Sequence, residues 1–311
     1  MTEREKRKEK MKRNDKRHGK AAARCSTFTV KAEAELMAFL AEAMPGASRT
    51  KLKSLLSHGA VSVDGAITTQ YNTRLVTGSS VQINHAHGPE PLRHPLLKVV
   101  YEDEHLIVVH KGAGLLSVNT EQKKENTAYT LLTDYVKKAD RRARIFIVHR
   151  LDRDTSGLMM FAKDAETSDL LRSDWHHIVY DRRYVAVVVG QMERDEGTVR
   201  SWLTDRKLYV HSSPTDDGGQ EAITHYRTVK RSETMSLVEL RLETGRRNQI
   251  RVHMQDIGHP VVGDGRYGID DRNPLHRLGL HAFKLCFTHP ITGEDLEFET
   301  PYPIAFKRLF K

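Results

Sequence analysis

The stretch "VHRLDRDTSGL", Val148 to Leu158, sets Asp152 and Asp154 beside Arg150 and Arg153 and next to His149, between the apolar runs "RIFI" and "MMFAKD". Strand, polar loop, strand is a good way to present a reactive group, because the apolar flanks anchor the loop in a core. Cations within a few ångströms favour a carboxylate over its acid. Asp152 is therefore open to two readings: a charge pair that fixes a turn, or an ionised carboxylate acting as nucleophile or electrostatic stabiliser. Asp154 and Arg153 read as loop charges that fix the turn.

Two further patches lie downstream. "RRYVAVVVG", Arg182 to Gly190, is an apolar strand with Tyr184 near its start; the ring either packs in the core with a wet hydroxyl or lines a pocket and stacks on a base. "TGRRNQIRVHMQDIGHPVVGD", Thr244 to Asp264, contains "RRNQIRVHMQDIG", which reads as a helix with Ile250, Met254 and Ile257 inward and Gly258 at its end. Arg247 and Arg251 are one turn apart, as are Gln249 and His253. Arg246, Arg247 and Arg251 form either surface salt bridges or a phosphate-binding face.

The chain has 311 residues, enough for one to three domains. No run approaches the roughly 18 apolar residues of a membrane span, and the N-terminus lacks the apolar core of a secretory signal. Two cysteines, Cys25 and Cys286, have no metal-ligand spacing, so a reducing cytoplasm is the expected setting. The net charge is +9, but residues 1–27 hold eleven Lys/Arg and four Asp/Glu, a net +7. The basic character is thus mostly that of a tail, expected to be disordered and able to bind nucleic acid through counterion release.

Residues 28–84 read as a small α+β unit. "AEAELMAFLAEAM" is a helix, "PGAS" breaks it, Ser48 caps a second helix "RTKLKSLLSHG", and Gly59 ends that one. Leu52, Leu55 and Leu56 make its buried stripe, while Arg49 and Lys53 share another face. "AVSVDGAITT" is a strand running into a turn at Asp64-Gly65, and "SVQI" closes the unit. Residues 85–95 are rich in Pro, His and Gly and read as a linker. From residue 96 to 311 strands dominate, in "LKVVYEDEHLIVVHKG", "ITHYRTVK", "MSLVELRLE", "LHAFKLCFTHP" and "EDLEFETP", with a helical "AETSDLLRSDWHHIV". The irregular mixture predicts an α+β domain on a mixed, largely antiparallel sheet.

Taken in order and spacing, "HRLDRDTSGL", "RRYVAVVVG" and "TGRRNQIRVHM...GHPVVGD...YG" resemble the RluA-type pseudouridine synthases over about 215 residues. "SRTKLKSLLSHGAVSVDG" with "LVTGSSVQI" resembles an S4 RNA-binding domain, departing from it at Asp64, where Asn is more usual, and at Ala66, where a basic residue is common. In "VVHKGAG", His110 stands where the synthases often have Asn and Gly112 where they commonly have Pro. The resemblance implies that Asp152 is the catalytic aspartate, that Tyr184 lies against the flipped base, that Arg251 pairs with Asp152, and that Arg150 fills the gap left by the uridine. It also implies RNA contacts from Arg246, Arg247, Gln249, His253, Arg49 and Lys53. The reaction breaks the uracil N1–C1′ bond and rejoins the base through C5; product and substrate are isomers, so no cofactor, ATP or metal is needed. The implied partner is RNA, ribosomal large-subunit RNA first and tRNA next, with no membrane and a monomeric enzyme.

Three rivals share fewer features. A kinase catalytic loop reads His-Arg-Asp, but here Leu151 intervenes and no Asp-Phe-Gly follows. A metallohydrolase would need ligand spacing that "WHHIV" and His259 lack. A non-catalytic RNA-binding protein on the same fold would have no reason to keep Asp152, Tyr184 and Arg251 together.

Overall fold

A computed structural model describes residues 25–57, 59–84, 92–119, 126–206, 209–268 and 273–310. Most of the basic tail, and residues 85–91 of the expected linker, lie outside the described residues. The chain divides into two compact units. The first holds the chain to Pro91 with the short segments Tyr101–Glu104 and Lys138–Arg141; the second holds Leu92–Val100, His105–Lys137 and Arg142–Lys311.

In the first unit, β1 (Cys25–Thr29), β2 (Ala34–Glu35), α1 (Leu36–Ala43), α2 (Arg49–Ser57), β3 (Val61–Val63), β4 (Ala66–Ile67), β5 (Arg74–Leu75) and β6 (Ser80–Asn84) follow in order. The first helix starts at Leu36, later than its apolar spacing suggests, because Ala34 and Glu35 pair with Leu75 and Arg74 instead. The Ser48 hydroxyl accepts the Lys51 amide at 3.2 Å, capping α2. Leu36, Leu40, Leu52 and Leu56 close on Val61, Val81 and Ile83 to make the core. Burial at each of these positions contributes about 1.5–3 kcal/mol. The β3–β4 turn needs positive φ at both Asp64 and Gly65, and the Asp64 carboxylate is spent on the Ser80 amide at 2.7 Å. Strand order in this sheet is β1-β6-β3-β4.

The second unit is built on β7 (Leu97–Glu102), β8 (Leu106–Lys111), β9 (Phe146–Ile147), β10 (Ser156–Ala162), β11 (Asp181–Val189), β12 (Glu196–Arg206), β13 (Tyr209–Ser213), β14 (Gln220–Arg231), β15 (Met235–Leu242), β16 (Leu280–Thr288) and β17 (Asp295–Glu299). Its helices are α3 (Ala128–Ala139), α4 (Ala165–Ser173), α5 (Trp175–Ile178), α6 (Gln249–Asp256) and α7 (Ile304–Arg308). The sheet runs β13-β12-β14-β15-β11-β16-β10-β8-β7, with β17 on β16 and β9 on β10. β10 pairs antiparallel with β8 and parallel with β16, and β11 pairs antiparallel with β16, which gives the mixed sheet expected of the sequence.

That parallel pairing depends on one glycine. Gly157 has φ +124°, and a Cβ there would lie 2.1 Å from the Ala282 carbonyl oxygen. Only glycine lets the strand leaving the opening loop pass so close to β16. Every residue of β10 is buried, so the loop is held by a strand that cannot slide.

Two further helices differ from the sequence reading. The helix after β10 breaks at Asp174 into α4 and α5. Helix α6 is shorter than its pattern, because Asn248 adopts φ 53° and places Arg246 and Arg247 on the preceding turn. The β12–β13 hairpin and α3 carried no decisive signal. No helix among the described residues is long and apolar enough to cross a membrane.

Candidate active site

The loop between β9 and β10 is fixed through its backbone. Ser117, itself buried, donates its hydroxyl to the Leu151 carbonyl at 2.6 Å and accepts the Leu151 amide at 3.2 Å. The Arg153 carbonyl accepts the Gly114 amide at 2.9 Å and the Lys111 Nζ at 3.0 Å. Lys111 is fully buried and also donates to the carbonyls of Leu115 and Gly112. Burial pulls its pKa down to about 7 against the opposing pull of Asp154 and Asp152. With Leu151 buried on one side of it, Asp152 is left facing outward, partly exposed.

Arg251, on α6, reaches that carboxylate: its NH1 donates to Asp152 at 3.2 Å. Its closer partner is Asp264, whose two oxygens take Nε at 2.6 Å and NH2 at 2.7 Å. Asp264 is buried, and its oxygen also accepts the amides of Arg266 and Tyr267. Burial alone would lower the Arg251 pKa, but the Asp264 pair and the Asp152 charge outweigh it and raise it. Arg251 therefore carries a permanent charge shared by two carboxylates, with Asp152 the more weakly held. The Asn248 side-chain oxygen takes the same NH1 at 3.1 Å, and Tyr267 lies 5.1 Å beneath the guanidinium.

Tyr184 enters from β11, where the register against β16 shifts between Arg183 and Tyr184. Its ring packs against two separate apolar clusters. Burial raises its phenol pKa, partly countered by Arg182, so it stays a hydrogen-bond donor at neutral pH. Asp152, Thr155, Tyr184, Arg246, Asn248 and Arg251 surround one hollow. A second hollow of about 480 Å³ shares Arg150, Asp152, Asn248 and Arg251 with it and adds Arg153, Arg247 and Arg266. That volume falls within the ~300–1,000 Å³ of ligand sites. Arg150 is exposed at the rim of both.

The arginines at the head of α6 are only partly committed. Arg247 pairs with Asp205, and Arg246 donates to the Glu221 carbonyl at 3.0 Å. Arg153 pairs with Asp154 on the surface, as the sequence suggests for loop charges.

Two expected RNA contacts are corrected. His253 is wholly buried; its Nδ1 meets the Thr224 hydroxyl at 2.8 Å and its Nε2 the Ser201 hydroxyl at 3.0 Å. Burial lowers its pKa to about 4. Gln249 is buried as well: its Oε1 accepts the Thr244 hydroxyl at 2.8 Å and the Arg246 amide at 2.9 Å, and its Nε2 donates to Ile223 and Thr224. The i, i+4 spacing correctly put both on one face, but that face packs on β12 and β14. They shape the arginine turn from within. On the first unit, Arg49 is exposed and Lys53 partly exposed along α2.

Sequence reading missed the partners that hold the site: Asp264, Asn248, Ser117 and Lys111. Asp264, Asn248 and Lys111 lay inside quoted stretches without being singled out, and Ser117 lay outside them; Ser117 and Lys111 have partners distant in the chain, which leave no local signal.

Comparison with known proteins identifies the family. A family model described as RNA pseudouridylate synthase matches residues 105–256. Ribosomal large subunit pseudouridine synthase D of Zymomonas mobilis is 36% identical over 294 residues, covering 88% of this chain and 91% of that protein. The protein of the same name in Nitrosomonas europaea is 33% identical over 279 residues, covering 85% and 80%. The uncharacterized RNA pseudouridine synthase YjbO of Bacillus subtilis is 37% identical over 215 residues, covering 69% and 76%. Among solved structures, human RNA Pseudouridylate Synthase Domain Containing 1 aligns with TM-score 0.54 and 24% identity over 68% of this chain and 85% of that one, a likeness of fold. On the strength of these relatives, which match it over most of their length, the chain belongs to the RluA-type RNA pseudouridine synthases and is an isomerase.

Proposed function

We propose that this enzyme isomerises specific uridines of structured RNA, those of large-subunit ribosomal RNA, and that Asp152 carries the reaction. The observation that supports the role of Asp152 is its placement: a carboxylate on a backbone-clamped loop, touched by a permanent cation and facing a hollow beside Tyr184. The ribosomal target is supported by the printed names of the Zymomonas and Nitrosomonas relatives.

The target base leaves its stack at a cost of a few kcal/mol, least at loops and unpaired positions. Tyr184 offers a ring for it, and a stacked base regains about 1–3 kcal/mol. Asp152 then either attacks C1′ or takes the C2′ proton, with the Arg251 guanidinium beside it at 3.2 Å to balance charge. The uracil turns and rejoins through C5. Arg150, at the rim, fills the space the uridine leaves. Arg246 and Arg247 lie where phosphates of the same strand run. The first unit acts as an S4-like RNA grip through Arg49 and Lys53, and the basic tail adds salt-sensitive affinity. The enzyme works as a cytoplasmic monomer.

Asp152→Asn should abolish pseudouridine formation in large-subunit rRNA transcripts while RNA binding stays within a few fold. Product made at the wild-type rate would remove Asp152 from the chemistry. Pseudouridine maps of total RNA with and without the gene identify the target; losses confined to tRNA would overturn the ribosomal assignment.

A further inference from the structure

Arg182 opens β11, two residues before Tyr184, and no part of the reaction above uses it. It is half-buried, with its Cζ 5.6 Å over the Trp175 ring. Trp175 in turn lies 4.9 Å from the ring of His149, three residues before Asp152. His149 accepts the Met160 amide on Nε2 at 2.9 Å, and burial lowers its pKa to about 3, so it adds no positive charge. From the other side the arginine turn closes in: a Cβ on Gly245 would meet Arg182 NH1 at 2.9 Å. The guanidinium thus lies between an indole and the backbone of the arginine turn.

Several arginines of this unit have a carboxylate partner: Arg183 pairs with Asp181, Arg200 with Glu221, Arg227 with Glu239, Arg247 with Asp205 and Arg251 with Asp264. Among the described residues no carboxylate comes within ion-pair distance of Arg182. Burial lowers its pKa, and the Tyr184 phenol opposes that. A cation kept out of water without a partner is costly unless a ligand completes it. Two strand positions span about 7 Å, the scale of the distance from a nucleotide's base to its phosphate.

We propose that Arg182, lying over Trp175, binds a backbone phosphate of the RNA immediately flanking the target uridine. This rests on the reading that places the flipped base against Tyr184. The phosphate supplies the missing counter-charge, and the planar fork of an arginine suits its oxygens. Because the contact is made equally before and during the reaction, it acts on binding far more than on turnover.

The test uses the full chain and the shortest rRNA fragment that the wild type still modifies. Arg182→Gln should bind that fragment about tenfold more weakly, the size of one charge-assisted hydrogen bond. KM should rise by the same factor with kcat nearly unchanged, and the slope of log K against log salt should fall by about one phosphate contact. Arg182→Lys should recover part of the loss. A neutral methylphosphonate at the flanking phosphate should weaken the wild type by the same factor and leave Arg182→Gln no weaker than before. An unchanged salt slope, or additive losses for every flanking methylphosphonate, overturns the assignment. If Arg182→Gln does not fold, Arg182→Lys and the methylphosphonate series on the wild type still decide it. If the wild type modifies no rRNA fragment, the target reading falls, and the same series on a modified tRNA tests Arg182 separately.

Discussion

Asp264 grips Arg251 through both of its oxygens, at 2.6 and 2.7 Å, and so leaves only NH1 for the carboxylate across the hollow. The guanidinium is positioned by the acid that faces no substrate. Asp264→Asn should therefore release Arg251 toward Asp152. Removing one member of a buried pair costs about 3 kcal/mol or more, and a displaced catalytic group of this kind costs about 100-fold in kcat. Thermal melting and single-turnover pseudouridine formation check both; wild-type turnover would mean that Asp152 alone orients Arg251.

Ser117 clamps both the amide and the carbonyl of Leu151, next to Asp152. Ser117→Ala leaves two buried backbone groups without that partner, a loss of about 2 kcal/mol. Turnover should fall about tenfold while RNA affinity is unchanged, since the hydroxyl is sealed from solvent. A fall in affinity with turnover intact would contradict the clamp.

The acid limb of stability follows from buried imidazoles. His253 has its pKa lowered to about 4 and His281 to about 3, both mainly by burial, against an ordinary value near 6.5. Below about 6.5 the unfolded chain takes up protons that the folded chain refuses, so their stability contribution is full above that pH and is lost as pH falls toward 4. For His253 the full loss is roughly 3 kcal/mol. Urea melts of wild type and His253→Gln between pH 7.5 and 4.5 should converge on acidification. Parallel curves would place the acid sensitivity elsewhere.

Gly157→Ala should be the most damaging small change near the site. The residue must adopt φ +124° and place its Cβ 2.1 Å from the Ala282 carbonyl oxygen. Backbone strain and the forced separation of β10 from β16 together cost about 3 kcal/mol or more. Loss of soluble protein, or a melting temperature lowered by many degrees, is the expected result; a wild-type melt would mean that the strand pair is not needed.

The sequence carries the fold class and the three motifs because each is local: apolar runs, a polar loop, an arginine cluster. Bringing Asp152, Tyr184 and Arg251 around one hollow is a tertiary matter, and motif resemblance alone supplied it beforehand. Gln249 and His253 show the limit. Helical periodicity says that two residues share a face but not which side the face takes, and polar side chains suggested the wrong one. Inside, their hydrogen bonds to Thr224, Ser201 and the arginine turn satisfy them fully. Asp264 escaped assignment because its partner lies thirteen residues back on a helix whose start the pattern misplaced.

The ring of Tyr184 borders two apolar clusters that are otherwise separate, one gathered on β8, β10 and α3 and the other on β11, β15 and α6. Neither cluster can set the ring by itself. The ring is therefore set by the packing of both clusters together, so a cavity opened in either one should loosen it.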